Sequence, residues 1–75
     1  MTIEEFVKKV QDEMQDTPAE QITAETNYKE LGEWGSLSAL SLISMIEEEY
    51  DKLITGADLR SRNSLKELWE YVESL

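Results

Sequence analysis

One hydroxyl stands out in this chain. Ser36 lies in Gly35-Ser36-Leu37, where a long polar stretch from Gln15 to Gly35 meets an apolar run. A serine at a helix start sits beside backbone N–H groups that have no intrahelical partner, a place that holds an anionic group well. Two readings of Ser36 follow: a helix cap bonding a backbone N–H, or an exposed attachment point for such a group. The rest of the composition limits what else it does. The chain has no His and no Cys, so it lacks the commonest general base and the strongest side-chain nucleophile. It also lacks the usual zinc and transition-metal ligands, and a Ser-His-Asp relay cannot be built from it alone. No base–nucleophile pair can be named, so a stand-alone enzyme finds no support. No calcium loop is expected either, because the alternating acids and central Gly of an EF-hand are missing. Any thioester chemistry would need a thiol from an attached group.

The elements that must position Ser36 are helical. The chain has 75 residues, which fits one domain, 1–75, and a chain this short buries only about 60% of its unfolded surface. Thr2 and Glu5 form a capping box, and Ile3, Phe6, Val7, Val10 and Met14 fall on one stripe of a first helix ending near Gln15. Thr17-Pro18-Ala19-Glu20 is a second capping signature, with Pro at the first helical position of a single turn. Ile22, Tyr28 and Leu31 are the anchors expected to pin the long loop to the core, and Gly32 is expected to permit a tight bend. A second helix runs from Ser36 or Leu37 to Tyr50. Ala39, Leu42, Ile43, Ile46 and Tyr50 form its core face, Leu40 lies at the edge and Met45 is off centre. Leu37 points nearly opposite, among Ser41, Ser44 and Glu48. Leu53 and Ile54 are expected to pin the chain after this helix. Gly56–Ser61 is a short third helix, and Ser64 with Glu67 forms a box that opens the last one. There Leu65, Leu68, Trp69 and Val72 share a face. No strand alternation is convincing, and the sum is a small all-α bundle of three main helices and one minor helix with a long first loop.

Charge narrows the partners. Seventeen acids against seven bases give a net charge of −10, a field that repels nucleic acid and anionic membranes and steers basic partners inward. Six acids (Glu30, Glu33, Glu47, Glu48, Glu49 and Asp51) and no Lys or Arg lie between Glu30 and Asp51, so the neighbourhood of Ser36 is expected to be entirely negative. Three acids at a helix C-terminus oppose the helix dipole, which favours a binding role for Glu47-Glu48-Glu49. No segment approaches the roughly 20 apolar residues of a membrane span. The acidic Met1–Glu5 lacks the basic start of a signal peptide, and a cytoplasmic location is expected.

Leu31-Gly32, two further residues, then Gly35-Ser36-Leu37 and an apolar helix closing on Ile46-Glu47-Glu48-Glu49-Tyr50 resemble the acyl and peptidyl carrier proteins. The signature of that family is Leu-Gly-x-x-Asp-Ser-Leu followed by such a helix. The likeness covers nearly the whole chain, including the long first loop, Ile54, the short third helix and the terminal helix. It implies a small right-handed four-helix bundle. It also implies that Ser36 is the serine to which a phosphopantetheinyl transferase attaches 4′-phosphopantetheine from coenzyme A, making the chain a phosphoprotein. The arm ends in a thiol that carries an acyl or aminoacyl group as a thioester, in fatty acid or secondary metabolite biosynthesis. The second helix would be the surface recognised by basic partners, here Leu37, Glu47 and Glu48, with Met45 a further candidate, and the chain would act as a monomer. The bundle would shelter an acyl chain by parting between the second and last helices.

The chain departs from the signature where its aspartate should stand: that position is Gly35. Ser38 and Ser41, often acidic in fatty-acid carriers, are neutral, and Trp34 gives the site an apolar neighbour, available for partner contact or for packing the loop. The alternative reading keeps the fold and leaves Ser36 bare, as a degenerate carrier-like module that acts only as an acidic protein–protein interaction domain.

Overall fold

The computed structural model describes residues 1–75 and contains four α-helices, two short 3₁₀ turns and no strand. The helices are α1 (Ile3–Glu13), α2 (Ser36–Tyr50), α3 (Gly56–Ser61) and α4 (Leu65–Ser74). The long loop between α1 and α2 carries 3₁₀ turns at Ala19–Gln21 and Tyr28–Glu30. α1 packs on both α2 and α4, and α3 packs on α2. Their shared core holds thirteen buried hydrophobic residues, among them Phe6, Val10, Leu42, Ile46, Leu59, Leu65, Leu68 and Val72, and no buried polar residue.

Local chemistry sets the helix starts. Thr2 Oγ1 accepts from Glu5 N, and the Glu5 carboxylate accepts from Thr2 N, closing the expected box. α3 begins with the same device: Thr55 Oγ1 accepts from Asp58 N and Asp58 Oδ2 from Thr55 N. This second box holds a helix of only six residues, too short to persist alone. α4 uses half of its expected box. Ser64 Oγ accepts from Glu67 N, but Glu67 Oε1 turns to Asn63 N, one residue earlier. α2 ends on Asp51, a left-handed residue with φ 56°, whose N–H returns to Glu47 O.

Several expectations are corrected. Met45, assigned to the margin of α2, is 4% exposed and belongs to the core. α2 is buried on two sides, by α1 and by α3, so its apolar arc is wider than one wheel direction. Leu53 is 75% exposed, and Ile54 alone pins the chain after α2. In α1, Ile3 and Val7 lie at the rim of the core rather than within it. Pro18 is the cap residue of the first 3₁₀ turn, not its first helical position. The expected bend at Gly32 is present, closed by Trp34 N to Leu31 O, and it needs no positive φ.

The long loop is fastened to the far corner of the bundle. Tyr28, fully buried, donates its hydroxyl to Leu59 O at 2.6 Å. Lys29 Nζ donates to Arg60 O at 2.8 Å and to Asn63 Oδ1 at 3.2 Å. The loop also accepts: Leu65 N bonds Thr26 O and Lys66 N bonds Ala24 O. Carbonyls at the end of α3 and N–H groups at the start of α4, orphaned by helix geometry, thus find partners in the loop. Burial of its ring raises the pKa of Tyr28 well above the ordinary phenol value, so the hydroxyl stays a donor.

Tyr28→Phe should cost about 1–2 kcal/mol, because the Leu59 carbonyl loses its partner in a dry place. Thermal unfolding should show a fall of about 4–8 °C per kcal/mol, and an unchanged midpoint would remove the fastening from the account. The two boxes make a separate forecast. Backbone hydrogen bonds from Thr55 and Thr2 hold the carboxyls of Asp58 and Glu5 below their ordinary values. Groups with lowered folded pKa stabilise fully above the unfolded value and lose that contribution as pH falls through the folded one. The melting temperature should therefore drop below about pH 4, and less steeply in a Glu5→Gln, Asp58→Asn double variant. Equal slopes would contradict this.

Candidate functional site

Ser36 is the first residue of α2, and the cap position falls on Gly35, which offers no side chain. Ser36 is exposed. Its hydroxyl has no hydrogen bond within the protein, whereas the Ser38 hydroxyl donates to Glu33 O at 2.6 Å. The cap-only reading of Ser36 therefore fails on geometry: the hydroxyl is free and accessible. Gly35 O accepts from Ala39 N at 2.9 Å, the first bond of α2. The N–H groups preceding it are the usual unpaired ones of a helix start.

Beside Ser36 lies a shallow crevice of about 250 Å³. Trp34, Ser36 and Ala39 form one side of it, and Gly56, Leu59 and Arg60 the other. Trp34 is half-buried, its ring 5.2 Å from that of Tyr28 at 57°. Of the two readings of this residue, packing of the loop is what the structure contains, and the remaining ring surface walls the crevice. Arg60 corrects the expectation of an entirely negative neighbourhood, since this cation of α3 lines the same crevice as the serine. The sequence hid this, because 24 positions separate the two (60 − 36).

Gly35 is not required by sterics. Its φ of −179° is extended backbone, and a Cβ placed there meets nothing within 4 Å. The aspartate of the signature would fit without displacing anything.

On α2, Leu37 is 81% exposed and Leu40, one turn on, is 59% exposed. Leu40 is no edge of the core: its i+3 spacing from Leu37 puts the two on neighbouring surface. Glu47 and Glu48 are exposed further along. Glu49 is engaged in an ion pair with Lys9 of α1. Leu37, Leu40, Glu47 and Glu48 thus share the outer side of the helix, apolar near Ser36 and acidic near Tyr50. Met45 takes no part in it. No cavity opens between α2 and α4. The most apolar groove instead lies between α1 and the loop, lined by Ile3, Val7 and Ile22. No helix is long and apolar enough to cross a membrane.

A bundle of this element order with a free serine hydroxyl at the start of its second helix has the form of a carrier domain. The family model described as "Phosphopantetheine attachment site" matches residues 4–72, and the chain belongs to that family. No curated protein and no solved structure matches significantly. Membership makes the chain a carrier of covalently attached 4′-phosphopantetheine. Domains of this family generally work as non-catalytic carriers that interact with enzymes. The local geometry fits such a group: a disengaged hydroxyl, unpaired N–H groups at a helix start, and a crevice whose only charged side chain is a cation.

Gly35→Asp should fold as the parent does and gain roughly 0.5 kcal/mol from a better cap and a carboxylate at the positive end of the helix. Urea unfolding measures this. A loss of more than about 1 kcal/mol would mean that the glycine is structurally needed.

Proposed function

We infer that the 75 residues act as one monomeric carrier unit whose phosphopantetheine is attached at Ser36 and presents an acyl or aminoacyl group as a thioester. The observation that carries this is the free, exposed Ser36 hydroxyl at the start of α2, with the cap position taken by Gly35.

The chain's own part in attachment is limited and clear. Ser36 Oγ forms the new bond to the coenzyme A phosphorus as the nucleotide leaves. A chain without histidine has no ordinary base beside the serine, so the transferase must take the hydroxyl proton. The product is a phosphodiester, an anion suited to a helix start. When bound, the arm supplies the thiol that this cysteine-free chain lacks. Leu37, with Leu40 beside it, gives partner enzymes an apolar contact next to the serine. Glu47 and Glu48 give them an acidic one, matched to basic docking surfaces. Trp34 borders the serine and is a further candidate contact.

Incubation with coenzyme A and a permissive phosphopantetheinyl transferase should add one phosphopantetheine to the intact mass, and Ser36→Ala should abolish the gain. Loading should slow as ionic strength rises from about 0.05 to 0.5 M, because screening shortens the reach of the acidic face. Glu47→Lys with Glu48→Lys should slow it at low salt. Absence of the mass gain across several transferases would instead favour the bare interaction module.

A further inference from the structure

Arg60 is a cation without a counter-charge in a chain where acids outnumber bases by seventeen to seven. The ion pairs join the Met1 amine to Glu73, Lys8 to Asp12 and Lys9 to Glu49. Arg60 is in none of them. Its neighbours one turn back on α3 are Gly56 and Ala57, and neither is acidic. Asp58, two residues away, is occupied by its own capping box.

The backbone that carries Arg60 is fixed from two directions. The Thr55–Asp58 box sets the start of α3. Tyr28 and Lys29 hold the carbonyls of Leu59 and Arg60 itself. The side chain then folds back along α3. A Cβ on Gly56 would lie 3.2 Å from Arg60 Nη1, so the missing side chain at Gly56 leaves the guanidinium its place. That place borders the crevice lined by Ser36. Gly35, where the signature's carboxylate is absent, lines the same crevice.

A guanidinium presents a planar fork of donors that matches two oxygens of a phosphate. We propose that Arg60 is the anion-binding residue for the phosphodiester on Ser36, drawing the base of the arm across the α2–α3 crevice against Trp34. This rests on attachment at Ser36. It does not rest on the helix start alone: the unpaired Arg60 and the glycine that makes room for it lie on another helix, across the crevice. The arm would leave the protein from a restrained root on the α3 side of Ser36, away from the Leu37–Glu48 side of α2. The exchange of the motif's carboxylate for an opposing cation would turn the site from one that offers negative charge to one that retains it.

The test uses the full chain loaded with phosphopantetheine and verified by mass. Phosphorus-31 NMR would compare it with Arg60→Gln and Arg60→Lys forms at about 0.02 M and 0.5 M salt, conditions that leave and remove long-range attraction. The expected result is a phosphodiester resonance that shifts with salt in the parent and in Arg60→Lys. In Arg60→Gln it should already sit at the high-salt position. The Arg60 Nε–H resonance should also move between unloaded and loaded parent protein. Coincident phosphorus lines for parent and Arg60→Gln at low salt would overturn the assignment and leave the carrier reading standing. Failure to load at Ser36 with any transferase would overturn both. Arg60→Lys keeps the charge and the aliphatic stem, so a shift lost in Gln and kept in Lys reports the cation rather than altered packing.

Discussion

The bond from the Tyr28 hydroxyl to the Leu59 carbonyl is the constraint on which the shape of the site depends. α3 has six residues and little helical stability of its own. Its position beside α2 comes from outside: Tyr28 and Lys29 donate to its last carbonyls, while Ala24 and Thr26 accept from the first N–H groups of α4. A polar loop thereby satisfies two helix ends at one corner. Burial alone would not locate that corner, since apolar contact is non-directional. Remove the fastening and the α3 side of the crevice loses its support, together with Leu59 and the guanidinium of Arg60. The Trp34 ring packs at a tilt against the same tyrosine, so both walls beside Ser36 are referred to one side chain.

The local parts of this arrangement were legible in the sequence and the long-range parts were not. Thr2 with Glu5 and Ser64 with the residues after it mark helix starts through neighbours three positions apart, and the bounds of α3 followed from Gly56 to Ser61. The Thr55–Asp58 box carries the same signal at the same spacing. Met45 escapes a helical wheel, which has one favoured direction, because α2 has two buried flanks. Leu53 was expected to be buried on hydrophobicity alone, a one-way rule that tolerates exposed leucines. Ser36 was visible as a motif, but whether its hydroxyl was free depended on which residue took the cap, and that is a matter of one position in backbone geometry. Tyr28 with Leu59, and Arg60 with Ser36, meet across spans that no pattern of period 3.6 reports.

A chain with neither histidine nor cysteine offers a hydroxyl, a surface and a field. The field is uneven. Glu47 and Glu48 are free at the far end of α2, Glu49 is tied to Lys9, and the one guanidinium beside the serine has no acid to meet. A glycine stands where the family's signature places a carboxylate, yet it is neither strained nor crowded. Its consequence is electrostatic rather than conformational: the first turn of α2 contains no acid.

Ser36 opens a helix of fifteen residues, and Glu47 and Glu48 stand in its final turns. At a rise of about 1.5 Å per residue, some 17 Å of rod separates the hydroxyl from these two carboxylates. Side chains in a helix lean toward its N-terminus, so the Ser36 hydroxyl lies at the tip of the rod, whereas the two carboxylates stand along its shaft. The rod therefore has a handle and a point. An enzyme can grasp the former without screening the latter, and its own cleft need only open at a fixed distance from its grip.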